Sequence, residues 1–536
     1  MGAKSVNLIL CFVVDFQLDS MKGYFRSMPS LPAITRRQMR FCTGFLAGVF
    51  TTTLVSQNLG IQPTGAQILI PCQLTAEMIR QKESLRQTAL AGNQDAQRRY
   101  KELITKQAKQ LQECREQNWP RNQAIWLRLY PCDLRPGSLD YIMDRIVNKG
   151  YNQVYVEVFY DAQVLLPQAD NPTPWQSVIQ VPGSEKADLF AQAIQKGRER
   201  GLKVYAWLFS MNFGYAYAQR PDRRQIMARN GRNQTSLDVV NEARADTDLT
   251  KGDASKAFVD PYNLQARQDY NRLIQAILKR KPDGMLFDYI RYPRGMGEAS
   301  VATKVQDLWI YGDAAQQVLL QRALNYKGLE LIRRFLSKGF INSGDIAQVD
   351  QLYPQESEPL WQGRTPDLKK DILPPAQRQP YLQTELWQLT VAHAAQGVID
   401  FLSSAVEPVQ RLGLPSGAVF FPGGNKAVGQ GFDSRVQPWD RFPSNIEWHP
   451  MIYADCGTTS CIVQELQRVV NLAPYGTDIR PAIAGNWGQS FGNRPSLEVQ
   501  MQAMRQVAPQ INTVSHFAYS WQEPESDRER KFCKMQ

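Results

Sequence analysis

The eight cysteines of this 536-residue chain form no C-x-x-C pair, and its three histidines, His393, His449 and His516, form no H-x-H or H-E-x-x-H cluster. Zinc sites need such spacings to bring their ligands together, so no metal is expected. His449 and His516 fall in strand-like apolar runs and read as structural. No glycine-rich fingerprint follows the first strand pattern, and GGNKAVGQG at 423–431 lacks the Gly-Lys-Ser/Thr ending of a phosphate loop. No nucleotide cofactor, and no cofactor of any kind, is therefore expected.

A one-sided charge is also missing from the main body of the chain. The net charge is +11, but residues 1–57 hold 6 Lys/Arg against 2 Asp/Glu, residues 74–120 hold 9 against 6, and the stretch from Glu525 holds 4 against 3. The remainder has 43 against 40, with no Lys/Arg stripe interleaved with aromatics, which argues against nucleic acid as a partner. Hydrophobic residues at 43% and charged residues at 21% provide for a sizeable core. The length suits one large domain with appendages.

Residues 34–57 (ITRRQMRFCTGFLAGVFTTTLVSQ) set Arg36 and Arg37 ahead of an apolar run at 41–55, with polar sequence beyond. This is the pattern of an export signal, and Thr35 to Met39 resembles a twin-arginine start. The run is shorter than the roughly 20 residues that span a bilayer comfortably, which favours cleavage. No A-x-A site follows it, so an uncleaved membrane anchor is the second reading. Both readings expect export to the periplasm or cell envelope, the second with membrane association through 41–55. Residues before Met28 fit no export pattern and read as an upstream start.

The sequence divides into a targeting segment (1–57), a helical hairpin extension (58–120), a catalytic-sized domain (121–525) with a long insertion at 295–380, and a tail (526–536). Within the extension, residues 74–117 are rich in Gln, Lys, Arg, Glu, Leu and Ala and break at Ala91 to Asn93. An antiparallel pair there brings Cys72 and Cys114 within bridging reach, with two free thiols as the alternative. Alternating patterns then count eight strands, at 124–130, 153–160, 202–210, 283–289, 417–422, 446–454, 478–485 and 511–521. Helices are expected at 138–150, 186–200, about 265–281 and 386–411, with one more at 314–337 inside the insertion. Eight strands with intervening helices predict an α/β fold, a (β/α)8 TIM barrel carrying the N-terminal hairpin. The connections at 212–256 and 295–380 exceed mere links and are expected to form cleft walls or a lid.

The chain is organised around DGMLFDYIRYP, residues 283–293. An apolar strand delivers Asp288 to its own end, and Pro293 closes the segment. Residues 259–293 (VDPYNLQARQDYNRLIQAILKRKPDGMLFDYIRYP) resemble the signature of the family 10 glycosyl-hydrolase-like proteins through Asp260-Pro261, Asp283-Gly284, and Asp288 with Arg291-Tyr292-Pro293. The resemblance extends more weakly over 125–521. It implies a TIM barrel that cleaves polysaccharide, with Asp288 as nucleophile or base.

Glycoside hydrolysis needs two carboxyl groups across a sugar-sized gap. Asp288 is the first, and Asp455, following the sixth strand, is the expected acid. Glu157, Asp161 and Glu523 are rivals, because the fifth strand ends in Phe420-Phe421 with no carboxylate of its own. Arg291 is placed to hold Asp288 ionised, to grip a substrate oxygen, or to close the rim by a salt bridge. Strand-end aromatics, among them Trp207, Tyr292, Tyr453, Trp487 and Trp521, are candidate platforms for sugar rings, and Glu157 is a candidate substrate contact. A bridge between Cys456 and Cys461 would stiffen the loop after Asp455, adding about 2 kcal/mol by loop entropy. The sequence leaves a sugar-binding barrel without catalysis, or an envelope structural protein, as alternatives to a metal-independent glycosidase.

Overall fold

The computed structural model describes residues 72–239, 256–366, 372–454 and 456–534. The export-type segment, the first residues of the hairpin extension and Asp455 lie outside the described residues.

Eight strands form the centre: β1 (Asn122–Leu127), β2 (Gln153–Tyr160), β3 (Lys203–Phe209), β4 (Gly284–Asp288), β5 (Ser416–Phe420), β6 (Glu447–Ile452), β7 (Ala482–Ala484) and β8 (Thr513–Phe517). Each pairs in parallel with the next. β8 returns to β1, with Asn122 opposite Thr513, so the sheet closes as a (β/α)8 barrel and leaves no edge to protect. Between β5 and β6 the helix is reduced to a single turn at Trp439–Arg441.

Several boundaries differ from the sequence reading for local reasons. The seventh strand is interrupted after Asp478–Ile479 because Pro481 has no N–H to give the ladder. The eighth stops at Phe517, and Tyr519–Gln522 is a helical turn. The helix expected at 314–337 is two, Asp313–Leu320 and Tyr326–Lys338, and a third follows at Ser343–Leu352. Asn325 makes the break by capping the second, its side chain accepting from Gly328 N at 2.9 Å. The helix before β5 begins at Pro375 and runs to Gln410, since proline at a first turn forfeits no hydrogen bond. That helix is long and apolar enough to cross a membrane, but side chains such as Leu386, Val398, Phe401 and Leu402 are buried against the barrel.

The motif at β4 has a packing reason. A Cβ on Gly284 would lie 2.2 Å from the Tyr205 ring, which crosses the barrel interior there. Asp283 accepts from Val204 N and from Arg198, both at 2.8 Å, and fixes the strand entry. Deeper in the barrel, Glu447 takes Arg480 at 2.8 Å, Tyr205 Oη at 3.2 Å and His449 Nε2 at 3.0 Å. Polar groups at that end of a barrel serve stability. His449 is therefore structural, as is His516, whose Nδ1 meets Tyr151 Oη at 2.9 Å.

The hairpin, α1 (Ala76–Leu90) and α2 (Gln94–Gln117), is capped by Thr75 and Asn93 and bridged by Cys72–Cys114, Cα atoms 5.6 Å apart. It docks through a buried polar knot on α3 (Ser138–Asn148) and α4 (Leu189–Arg198). Tyr100 Oη donates to Asp144 at 2.6 Å, and Arg200 donates to Asp144 at 2.8 Å and to Tyr100 Oη at 2.7 Å. Asp144→Ala would leave Tyr100 Oη without its acceptor and Arg200 with Asp140 as its remaining close carboxylate, at 2.9 Å, so we expect a loss of about 1–3 kcal/mol in guanidinium unfolding. A loss below about 1 kcal/mol would mean that the knot does not hold the hairpin.

Candidate active site

Strand alternation sends Trp126, Tyr155, Glu157, Tyr205, Trp207 and Phe517 into the barrel. Trp126 stands edge-on to Trp207, centroids 4.8 Å apart, and donates to Ser515 Oγ at 3.1 Å. Phe517 packs near both, at 6.3 and 6.2 Å, and the three rings floor a cavity of about 340 Å³ at the C-terminal mouth. Arg128 and Glu157 form one wall; Tyr130, Ser520, Asp527 and Lys531 complete the rim. Such a volume holds a small ligand or one to two sugar rings.

Glu157 lies opposite Trp207 in the β2–β3 register, where β2 then shifts register. It is 1% exposed and paired with Arg128, whose Nη2 lies 3.1 Å from Oε1. Burial raises its carboxyl to about 7, against the opposing pull of Arg128; Asp161 and Asp288 add to the rise. Arg128 itself stacks 4.2 Å over the Tyr160 ring.

Asp288 closes β4. The chain turns sharply after it, with Tyr289 at φ 52°, and this turn lets Tyr289 N donate to Asp288 Oδ1 at 2.6 Å. Trp207 Nε1 donates to Oδ2 at 3.1 Å. Burial lifts the carboxyl to about 6, while the Tyr289 N–H, Arg291, Trp207 and Lys256 oppose it. Both oxygens thus accept a hydrogen bond, which favours the ionised form.

Arg291 makes no ion pair with Asp288 or with any other described carboxylate, a correction to the rim-bridge expectation. It donates to Tyr292 O at 2.8 Å and lies over Tyr289, Phe258 and Phe421, at 4.8 to 5.9 Å. Its effect on Asp288 is through space, and burial draws its own pKa down to about 10.

The other sequence candidates separate. Trp207 and Glu157 line the cavity; Tyr453 and Trp521 pack on Phe517 of its floor, centroids 5.7 and 6.1 Å away. Tyr292 is fully buried and lines no part of the cavity, so its role as a sugar platform is corrected to packing. Trp487 stands apart from the cavity: half-buried, it donates to Tyr151 Oη at 3.1 Å and packs on His516, whose strand position faces away from the interior. Glu523 pairs with Arg145 and with Lys149 at 2.7 Å and does not line the cavity. Asp161 is exposed just past β2. Asp455, the expected acid, is outside the described residues, although Cys456 and Cys461 beside it do bridge, Cα atoms 6.1 Å apart. Among the described residues neither long insertion lines the cavity; Lys256, at the end of the first, lies 5.4 Å over the Tyr289 ring beside Asp288.

Sequence reasoning missed Arg128, Asp527 and Lys531. Arg128 had a signal, a lone charge in the apolar run AIWLRLY. The other two come from a polar stretch that nothing local ties to the barrel.

No family model and no curated protein matches the sequence. Among solved structures the chain is similar to the PgaB (BpsB) glycoside hydrolase domain from Bordetella bronchiseptica, at 13% identity over 77% of this chain and 99% of that one, with a TM-score of 0.43. It is also similar to a GH18 chitinase from Pseudoalteromonas aurantia, at 9% identity over 74% and 94%, TM-score 0.33. A third is the GH20 exo β-N-acetylglucosaminidase from Vibrio harveyi in complex with N-acetylglucosamine, at 8% identity over 77% of this chain and 53% of that chain, TM-score 0.38. All three of those solved structures are glycoside hydrolases by name.

Proposed function

We propose that this chain is an exported glycoside hydrolase acting on a polysaccharide, with Glu157 as proton donor and Asp288 as the ionised partner. The observation that carries the reading is the pair itself: two inward carboxyls at the mouth, on β2 and β4, one at an aromatic-floored cavity and one bonded to its floor. Both sit near neutrality through burial, which lets one be protonated while the other is charged. The resemblance of 259–293 to the family 10 glycosyl-hydrolase-like signature supports the same chemistry. Three disulfides, Cys72–Cys114, Cys132–Cys533 and Cys456–Cys461, support folding in an oxidising compartment such as the periplasm or envelope. The chemistry runs on carboxyls, needing neither metal nor cofactor.

The test is release of reducing ends from purified polysaccharides by the wild type, set beside Asp455→Asn. If Glu157 is the donor, Asp455→Asn keeps turnover within about fivefold; a collapse on unactivated glycans, with activated aryl glycosides spared, would return the donor role to Asp455. The Arg128 pairing of Glu157 favours a second reading, a barrel that binds sugar without cleaving it. Binding with no reducing ends from any glycan would establish that one.

A further inference from the structure

The helix Pro524–Phe532 buries none of its own residues, and nine residues are too few for a helix to persist alone in water. Neither apolar burial nor helix propensity explains why it lies against the barrel mouth. What holds it is a set of specific ties to the turn after β1. Cys533 is bridged to Cys132, Cα atoms 6.3 Å apart. Arg530 donates to both oxygens of the buried Asp133, each at 2.8 Å, and to Arg128 O at 2.7 Å. Tyr130 Oη donates to Asp527 at 3.3 Å. Asp133 in turn accepts from Tyr130 N at 2.8 Å, so the clamp and the strand end are one unit.

The result is that Asp527 and Lys531, four residues apart and so on one helical face, stand at the cavity rim. From this geometry we infer that the helix is a wall of the sugar-binding cavity, with Asp527 and Lys531 hydrogen-bonding the hydroxyls of the bound glycan. The Cys132–Cys533 bridge and the Arg530–Asp133 pair are what keep that wall in place. The inference rests on the cavity being the glycan site. A carboxylate accepting from sugar hydroxyls and an ammonium donating to them are charge-assisted contacts, stronger than neutral ones. Arg530, which touches no cavity surface, is a positioning residue.

Calorimetric titration of the oxidised full chain with glucose and N-acetylglucosamine hexasaccharides tests this, in an Asp288→Asn background that suppresses turnover. We expect Asp527→Asn and Lys531→Ala each to raise Kd about tenfold, with melting temperature unchanged. Cys132→Ser/Cys533→Ser should raise Kd at least as much, and adding Asp527→Asn to that variant should then change Kd less than twofold, because both act through the same helix. Unchanged Kd in the two single variants overturns the inference, as does an equal Asp527→Asn effect with and without the bridge, or no binding of either hexasaccharide. Lys531 is exposed, so its variant carries no folding risk. Binding that follows the expected pattern in a protein that releases no reducing ends would refute hydrolysis and leave the wall standing.

Discussion

Glu157→Gln is expected to lower kcat on polysaccharide by about 10²–10⁴-fold, the range a positioned general acid contributes. Glutamine keeps the shape and can still accept from Arg128, but it has no proton to give. Activated aryl glycosides, whose leaving groups depart without protonation, should lose far less, and this contrast separates a lost acid from a disturbed fold. The pH profile is the second readout. Burial favours the neutral carboxyl, so Glu157 is protonated below about 7 and activity should fall as pH rises through that value. Asp288 must be ionised and reaches that state above about 6, so activity should also fall as pH drops through 6. The wild type should therefore show a narrow bell centred between these values, with limbs that belong to the interacting pair. Glu157→Gln should abolish the alkaline limb and leave the acid one. A mutant that keeps both limbs and full turnover would exclude Glu157.

Asp288→Asn is expected to cost more, on the order of 10⁴-fold in kcat, because the proposed mechanism assigns to this carboxylate the charge that stabilises the developing oxocarbenium. KM should stay within about threefold, since the cavity wall as described is built from other residues. Asparagine can accept from Tyr289 N but then turns its amide toward Trp207 Nε1–H, leaving one donor unpaired at about 1–3 kcal/mol. Removing a buried charge offsets part of that cost. The melting temperature should consequently move little, and circular dichroism with differential scanning calorimetry checks it. Retained turnover in this variant would exclude Asp288 as the ionised partner.

The barrel was legible because its evidence is local. Each strand is a short apolar run next to a turn or a helix of period 3.6, and β2 falls at Gln153–Tyr160, where its pattern predicts it. The hairpin was legible for the same reason, as was the bridging reach of Cys72 and Cys114, because an antiparallel second helix carries the chain back to the start of the first. Misreadings arose where one residue overrides a pattern, as Pro481 does in the seventh strand and Asn325 in the insertion.

For the candidate site, the sequence by itself determined that a carboxylate ends the fourth strand and that aromatics crowd the strand ends, because side-chain type and strand end are both written in order along the chain. Tertiary structure alone decided which of those groups meet. Tyr292 and Arg291 are neighbours of Asp288 in sequence, yet backbone turns send one into the core and the other onto three rings. Arg128 and Glu157, 29 residues apart, face each other only because β1 and β2 pair in register. Asp527 reaches the mouth through a bridge between cysteines 401 residues apart, a pairing that no local periodicity encodes. Protonation is decided at the same level: a carboxyl takes its pKa from burial and from the charges around it, and both come into being when distant strands close into a barrel.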